Sequence, residues 1–178
     1  RVTATGGHFL FDDDQETPNT MNVAYEFQDA GRKQMLVFDL RHWMTHHEAG
    51  LHEFDLKSKS TTVGNVFYGR NGYLAIDGYF KYESWLGKEQ EPGPSRKESG
   101  NHFANFIDTV RSRRRGDLNA EIEEGAVSTV LVHLANISYR LGRTVNFDAG
   151  SYTCPGDAEA TRMFTRDYRA PFVVPGKI

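Results

Sequence analysis

Four histidines and three acids stand within residues 42–55: His42, His46, His47, Glu48, His52, Glu53 and Asp55. Imidazole and carboxylate are ordinary zinc ligands, so the run is tested first as a metal site. Its spacing is poor. His42 and His46 would share a face only on a helix, whereas Gly50 and the strand pattern before it argue for a loop. His47-Glu48 runs into Ala49, Gly50 and Leu51, so no HExxH is formed. We read the run as a solvated, partly cationic loop, and we assign no metal ligand. A second set is Asp39, Arg41 and Trp43, which alternate along one strand face. A carboxylate, a guanidinium and an indole in that order suit the hydroxyls and the apolar ring face of a sugar. A surface ion pair is the plainer alternative. The third set is His102 and Asn105, three apart at a helix start and off the apolar stripe. They can hydrogen-bond a polyol, or can serve the helix end as packing and capping groups.

Composition narrows what these groups can serve. The chain has 178 residues, 38% hydrophobic, 25% charged and 12% aromatic, which fits one globular domain with its own core. A net charge of -3 gives no general attraction to nucleic acid or anionic membrane. No apolar run is long enough to span a bilayer, and the first residues do not read as a signal peptide. A single cysteine, Cys154, excludes an internal disulfide framework and leaves the compartment, cytoplasmic or periplasmic, open. The arginines Arg111, Arg113, Arg114 and Arg115 lack interleaved aromatics, so they are read as compensating the negative end of a helix.

The elements that must position these groups follow from periodicity. Met21, Val23, Tyr25 and Phe27 alternate with Asn22, Ala24, Glu26 and Gln28, so one strand face is buried. Asp29-Ala30-Gly31 turns this strand into another over residues 35–43, a hairpin. Before it, residues 2–11 read as an extended segment with a bulge or bend at Gly6-Gly7. Strands resume over 63–68, 73–76 and 79–85, joined by Gly69-Arg70-Asn71-Gly72 and by a two-residue turn at Asp77-Gly78, and 87–99 reads as a polar linker. Phe103, Phe106, Ile107 and Val110 form the stripe of a first helix, which must lie against something. Asn119 is placed to cap a second helix with a main stripe of Val127, Val130, Leu131, Leu134 and Leu141. Ala126, Val132, Ala135 and Ile137 widen it, leaving His133, Asn136 and Arg140 as a narrow polar line, and Gly142 is the expected stop. A short strand over 144–147, a short helix over 157–164 and an extended tail complete the chain. The fold class expected is α+β: a mostly antiparallel sheet with helices packed on one face and the other face open for oligomer contact.

The runs HFANFIDTVRSR, DLNAEIEEG and HLANISYRLGR, with ETPNT, VFYGRNGYLAI and the closing YRAPFVVP, resemble the C-terminal half of bacterial oxidoreductases of the Gfo/Idh/MocA family. The similarity covers nearly the whole chain. It implies that residues 1–178 form a single C-terminal domain for substrate recognition and oligomerisation, and that the partner is an N-terminal Rossmann domain carrying NAD or NADP. The sequence agrees: no GxGxxG opens a helix after a strand, and Lys33, Lys57, Lys59, Lys81 and Lys88 stand in no context like the family's EKP motif. Hence no cofactor and no catalytic residue is assigned here, and the resemblance implies a sugar- or cyclitol-like substrate for the whole protein. A cycle of the NAD-dependent glycosidase kind and a non-catalytic module for assembly or metal binding are the other readings.

Overall fold

The computed structural model describes residues 1–9, 11–12, 14–41 and 64–174. These form strands β1 (Val2–Gly7), β2 (Thr20–Asp29), β3 (Arg32–Arg41), β4 (Gly64–Gly69), β5 (Gly72–Asp77), β6 (Lys81–Leu86), β7 (Glu91–Pro92) and β8 (Arg96–Lys97). Helices α1 (His102–Ser112), α2 (Ile122–Leu141) and α3 (Ala158–Arg162) follow, with a 3-10 turn at Arg115–Asp117 between the first two. The fold is α+β with antiparallel sheets, as the periodicity predicts. One sheet was expected; the described strands make two, β1-β2-β3 and β4-β5-β6-β7, with β8 also on β6. The chain divides into two compact units, Arg1–Arg41 with Ile122–Ile178, and His42–Glu121.

In the first unit the hairpin predicted from alternation is present in full register, from Thr20 opposite Arg41 to Asp29 opposite Arg32. Ala30 and Gly31 fill its turn with φ of +45° and +80°, the left-handed pair that matches strand twist. Met21, Val23 and Tyr25 point into the core, while Phe27, at the turn end of the same face, is half-exposed. β1 runs unbroken through Gly6-Gly7, so the expected bulge is absent. A Cβ on Gly6 would lie 2.4 Å from the Thr20 carbonyl oxygen, so that glycine serves close backbone approach instead.

The C-terminal half of α2 packs on this sheet. Leu134, Ala135 and Ile137 join Val2, Val23, Tyr25, Val145, Cys154 and Ala160 in one cluster, with Val130, Leu131 and Leu141 against its edge. Each aliphatic side chain buried there contributes about 1.5–3 kcal/mol. The Tyr25 hydroxyl donates to the Leu131 carbonyl at 2.9 Å, so the buried ring keeps its polar tip satisfied. Two parts of the helix reading need correction. Val127 is 52% exposed, because a 20-residue helix of about 30 Å overruns a six-residue strand of about 20 Å. Asn119 caps nothing; its backbone N–H donates to Asn105 Oδ1. The stop is as expected. Gly142 takes φ +62°, its N–H donates to Tyr139 O, and Arg143 N–H to Ser138 O, the paired bonds of a Schellman end.

Beyond α2, the strand expected over 144–147 is reduced to a single antiparallel bridge between Val145 and Val2. The short helix α3 is present, capped by Asp157, whose Oδ1 accepts from Ala160 N at 3.0 Å. The tail expected to be extended instead turns at a cis Ala170-Pro171 bond and forms no strand through Val174. Arg143 also holds Asp157, donating to both carboxylate oxygens at 2.9 and 3.0 Å. The Ala160 N–H first, and the Arg143 hydrogen bond next, keep the Asp157 carboxyl below the usual aspartate range. With the folded value depressed, its contribution is full above the unfolded value of about 4 and is lost as pH falls through the folded value. Asp157→Asn is therefore expected to flatten the acid limb of the stability curve between about pH 5 and pH 2 and to leave its neutral part unchanged in slope. Urea midpoints measured across that range check this, and an unaltered acid limb would refute it.

Cys154 is 2% exposed, and burial first, then the charge of Asp157, push its thiol up. In the folded chain it should react with a disulfide-exchange reagent at least ~100-fold more slowly than in denaturant. A rapid reaction under native conditions would contradict this packing.

In the second unit β4 and β5 meet through a two-residue turn, with Gly69 opposite Gly72. The next turn holds three residues rather than two, because Asp77 pairs with Lys81. The segment read as a linker contains β7 and β8, both on β6. Helix α1 starts where the sequence places it, with Asn101 Oδ1 accepting from Ala104 N at 3.0 Å. Its apolar stripe is not buried: Phe103 is 73% exposed, Phe106 58%, Ile107 46% and Val110 43%. Periodicity finds the stripe but does not supply its cover. Of the arginines at its end, Arg111 pairs with Asp108, Arg114 with Asp117 and Arg115 with Glu121.

Candidate functional site

The first unit offers a polar end on the outer face of its sheet. In the β1-β2-β3 register Thr5 lies opposite Asn22 and Asn22 opposite Asp39, while Thr20 lies opposite Arg41. Alternation then sets Thr5, Thr20, Asn22, Asp39 and Arg41 on the face away from the α2 core. Arg41 Nε donates to Asp39 Oδ1 at 2.9 Å, with a third or less of each side chain exposed. This pair is the one the strand alternation places together. A carboxylate with lone pairs to spare, a guanidinium, an amide and two hydroxyls form a patch that can both accept from and donate to the hydroxyls of a polyol. Trp43, expected to add the apolar ring face, lies outside the described residues, as does the run His42 to Asp55. The sequence reading missed Thr5, Thr20 and Asn22. The antiparallel register carried the signal, since the hairpin turn fixes which residue stands opposite Asp39.

His102 and Asn105 belong to the other unit. The His102 ring lies 4.2 Å from the Phe103 ring, centroid to centroid, on the exposed start of α1. The Asn105 amide is engaged on both sides. Its nitrogen donates to Asp117 O at 2.7 Å and its oxygen accepts from Asn119 N at 3.0 Å, so it clamps the helix to the turn that follows. Among the described residues no group of three or more histidines, cysteines or acids is placed to hold a metal ion. No described helix is long and apolar enough to cross a membrane.

A nicotinamide cofactor has no fitting cradle in these residues. Every named strand pair is antiparallel, so the described chain contains no βαβ unit whose helix start could receive a pyrophosphate. The Gfo/Idh/MocA family model described as "Oxidoreductase family, C-terminal alpha/beta domain" matches residues 86–174, half of the chain. The chain belongs to this family. No curated protein and no solved structure matches it. Within the Gfo/Idh/MocA domain the matched residues run from Leu86 at the end of β6 through α1, α2 and α3 to Val174, so the family pattern embraces both the clamped start of α1 and the buried half of α2.

Proposed function

We propose that this Gfo/Idh/MocA domain is the substrate-recognising and assembly half of an NAD(P)-dependent oxidoreductase acting on a sugar- or cyclitol-like compound. The family match over residues 86–174 carries the reading. A "C-terminal" domain implies an N-terminal partner, and that dinucleotide-binding domain is where NAD or NADP belongs. The part of this chain is to bind and orient. Asp39 and Arg41 supply an acceptor and donors 2.9 Å apart, with Asn22 opposite Asp39, and paired acceptor and donor groups are what a vicinal diol requires. Assembly into a homo-oligomer is assigned to the same outer sheet face further toward the turn, where Met35 and Val37 are 66% and 60% exposed.

The test uses the longer protein that joins this chain to its dinucleotide-binding domain. Reduction of NAD or NADP should depend on a polyol from a panel of sugars and cyclitols. Asp39→Asn should raise KM about tenfold with kcat little changed, the signature of lost substrate binding. The 178-residue chain alone should show no heat of binding with either nucleotide. Tight nucleotide binding by that chain, or no polyol-dependent reduction by the longer protein, would overturn the reading. Val37→Glu should lower the oligomer's mass in light scattering, and an unchanged mass would remove the assembly assignment.

A further inference from the structure

The turn between β4 and β5 and the end of β6 border a shallow, open hollow of about 760 Å³, lined by Tyr68, Arg70, Asn71, Tyr73, Leu86 and Lys88. Register places Tyr68 opposite Tyr73, Tyr73 opposite Trp85 and Trp85 opposite Pro92, so three rings and a pyrrolidine stand in a row on one sheet face. The ring centroids are 6.0 and 4.8 Å apart, and the Tyr73 and Trp85 planes differ by only 19°. Tyr68, at the outer end, is 79% exposed. Cations frame that end. Arg70 and Asn71 fill the turn, Lys88 follows Gly87, and no described carboxylate pairs with either cation. Further along the same face Lys81 and Glu83 form an ion pair at 2.9 Å, with Glu83 opposite Ala75.

We infer that this strip binds an acidic saccharide, a pyranose chain bearing carboxylates. The exposed ring of Tyr68 takes the C–H face of a sugar, and the Tyr73–Trp85 stack backs it. Arg70 and Lys88 take its carboxylate, and Asn71 takes its hydroxyls. An open hollow suits a chain passing through rather than a small molecule enclosed. A single-stranded nucleic acid would also stack on such rings, but it brings a phosphate at every step. Two cations at one end of the strip, with the Lys81–Glu83 pair further along it and a chain of net charge -3, do not match that charge density. The inference does not depend on the redox reading, and its test involves no nicotinamide.

The test titrates the 178-residue chain with α-1,4-linked trigalacturonate and, separately, with maltotriose, reading tryptophan emission and heat. Saturable binding of trigalacturonate is expected, about tenfold tighter than maltotriose. Tyr68→Ala and Arg70→Gln, both at exposed positions that leave the sheet intact, should each weaken it about tenfold. Arg70→Gln should also reduce the dependence on salt. Four results would overturn the proposal: no saturation at millimolar sugar, equal affinity for the neutral trisaccharide, tighter binding of a single-stranded oligonucleotide, or self-association of the chain abolished by Tyr68→Ala. The last would make the strip an interface between copies.

Discussion

Gly72→Ala is expected to destabilise the second unit by about 3 kcal/mol or more and to erase the near-ultraviolet circular dichroism of the stacked Tyr73–Trp85 pair. Gly72 has φ +149°, and a Cβ there would sit 2.0 Å from the Trp85 carbonyl oxygen and 3.0 Å from Leu86 Cα. Those atoms are backbone of β6, which Gly72 meets through its pairing with Leu86 while Gly69 pairs on its other side. No side chain can swing away to relieve the contact. The strands must part, at a cost of about 1–3 kcal/mol for overpacking and a similar amount for the disallowed φ. Gly78 provides the control. It too has positive φ, +61°, but a Cβ would meet nothing within 4 Å, so Gly78→Ala should cost only about 1 kcal/mol. If the two variants unfold at the same urea concentration, the close approach of β5 and β6 is not as described.

Ser138→Val should destabilise the first unit by about 4 kcal/mol, because two penalties coincide at a side chain with no exposed surface. The Ser138 hydroxyl accepts from Ala4 N at 3.0 Å and donates to Arg143 O at 2.8 Å. It therefore joins β1 to the end of α2 and to the turn beyond. Valine strands the Ala4 N–H and the Arg143 carbonyl, both part-buried, at about 1–3 kcal/mol each. Its added methyl must also enter a fully buried site, where the Val2 carbonyl oxygen lies 3.4 Å from the hydroxyl. Ser138→Ala separates the terms, since it removes the hydrogen bonds without adding bulk and should cost about half as much. Urea unfolding followed by helical circular dichroism checks both. A Ser138→Val protein as stable as the parent would mean that the hydroxyl makes no buried contact.

What was readable in the chain divides along the range of the forces involved. The β2–β3 hairpin and the stop at Gly142 are set by neighbouring residues, and period-two alternation and a glycine after the last periodic residue announce them. The cover of a stripe is set by residues distant in sequence. Val127 and Phe103 thus have the right period and yet stay exposed. Ser138 reads as an ordinary polar helical residue, because only its contact with β1, 134 positions away, gives the hydroxyl its task. β7 and β8 have two residues each, too short to show any period, and Pro92, Gly93 and Pro94 disguise them as a linker. For the candidate site, alternation sufficed to pair Asp39 with Arg41. The aromatic row Tyr68, Tyr73 and Trp85 was hidden because its members sit on three strands, and only register aligns them.

The first unit is built from Arg1–Arg41 and Ile122–Ile178, with the second unit's residues between them in the chain. On the ribosome, β1 to β3 therefore emerge long before the helix that covers Val23 and Tyr25. Until residue 145 has left the exit tunnel, Val2 lacks its bridge partner, and an apolar sheet waits in the open. The insert, whose residues are contiguous, has no such delay, so nascent chains should acquire protease resistance over β4 to α1 before they acquire it over β1 to β3.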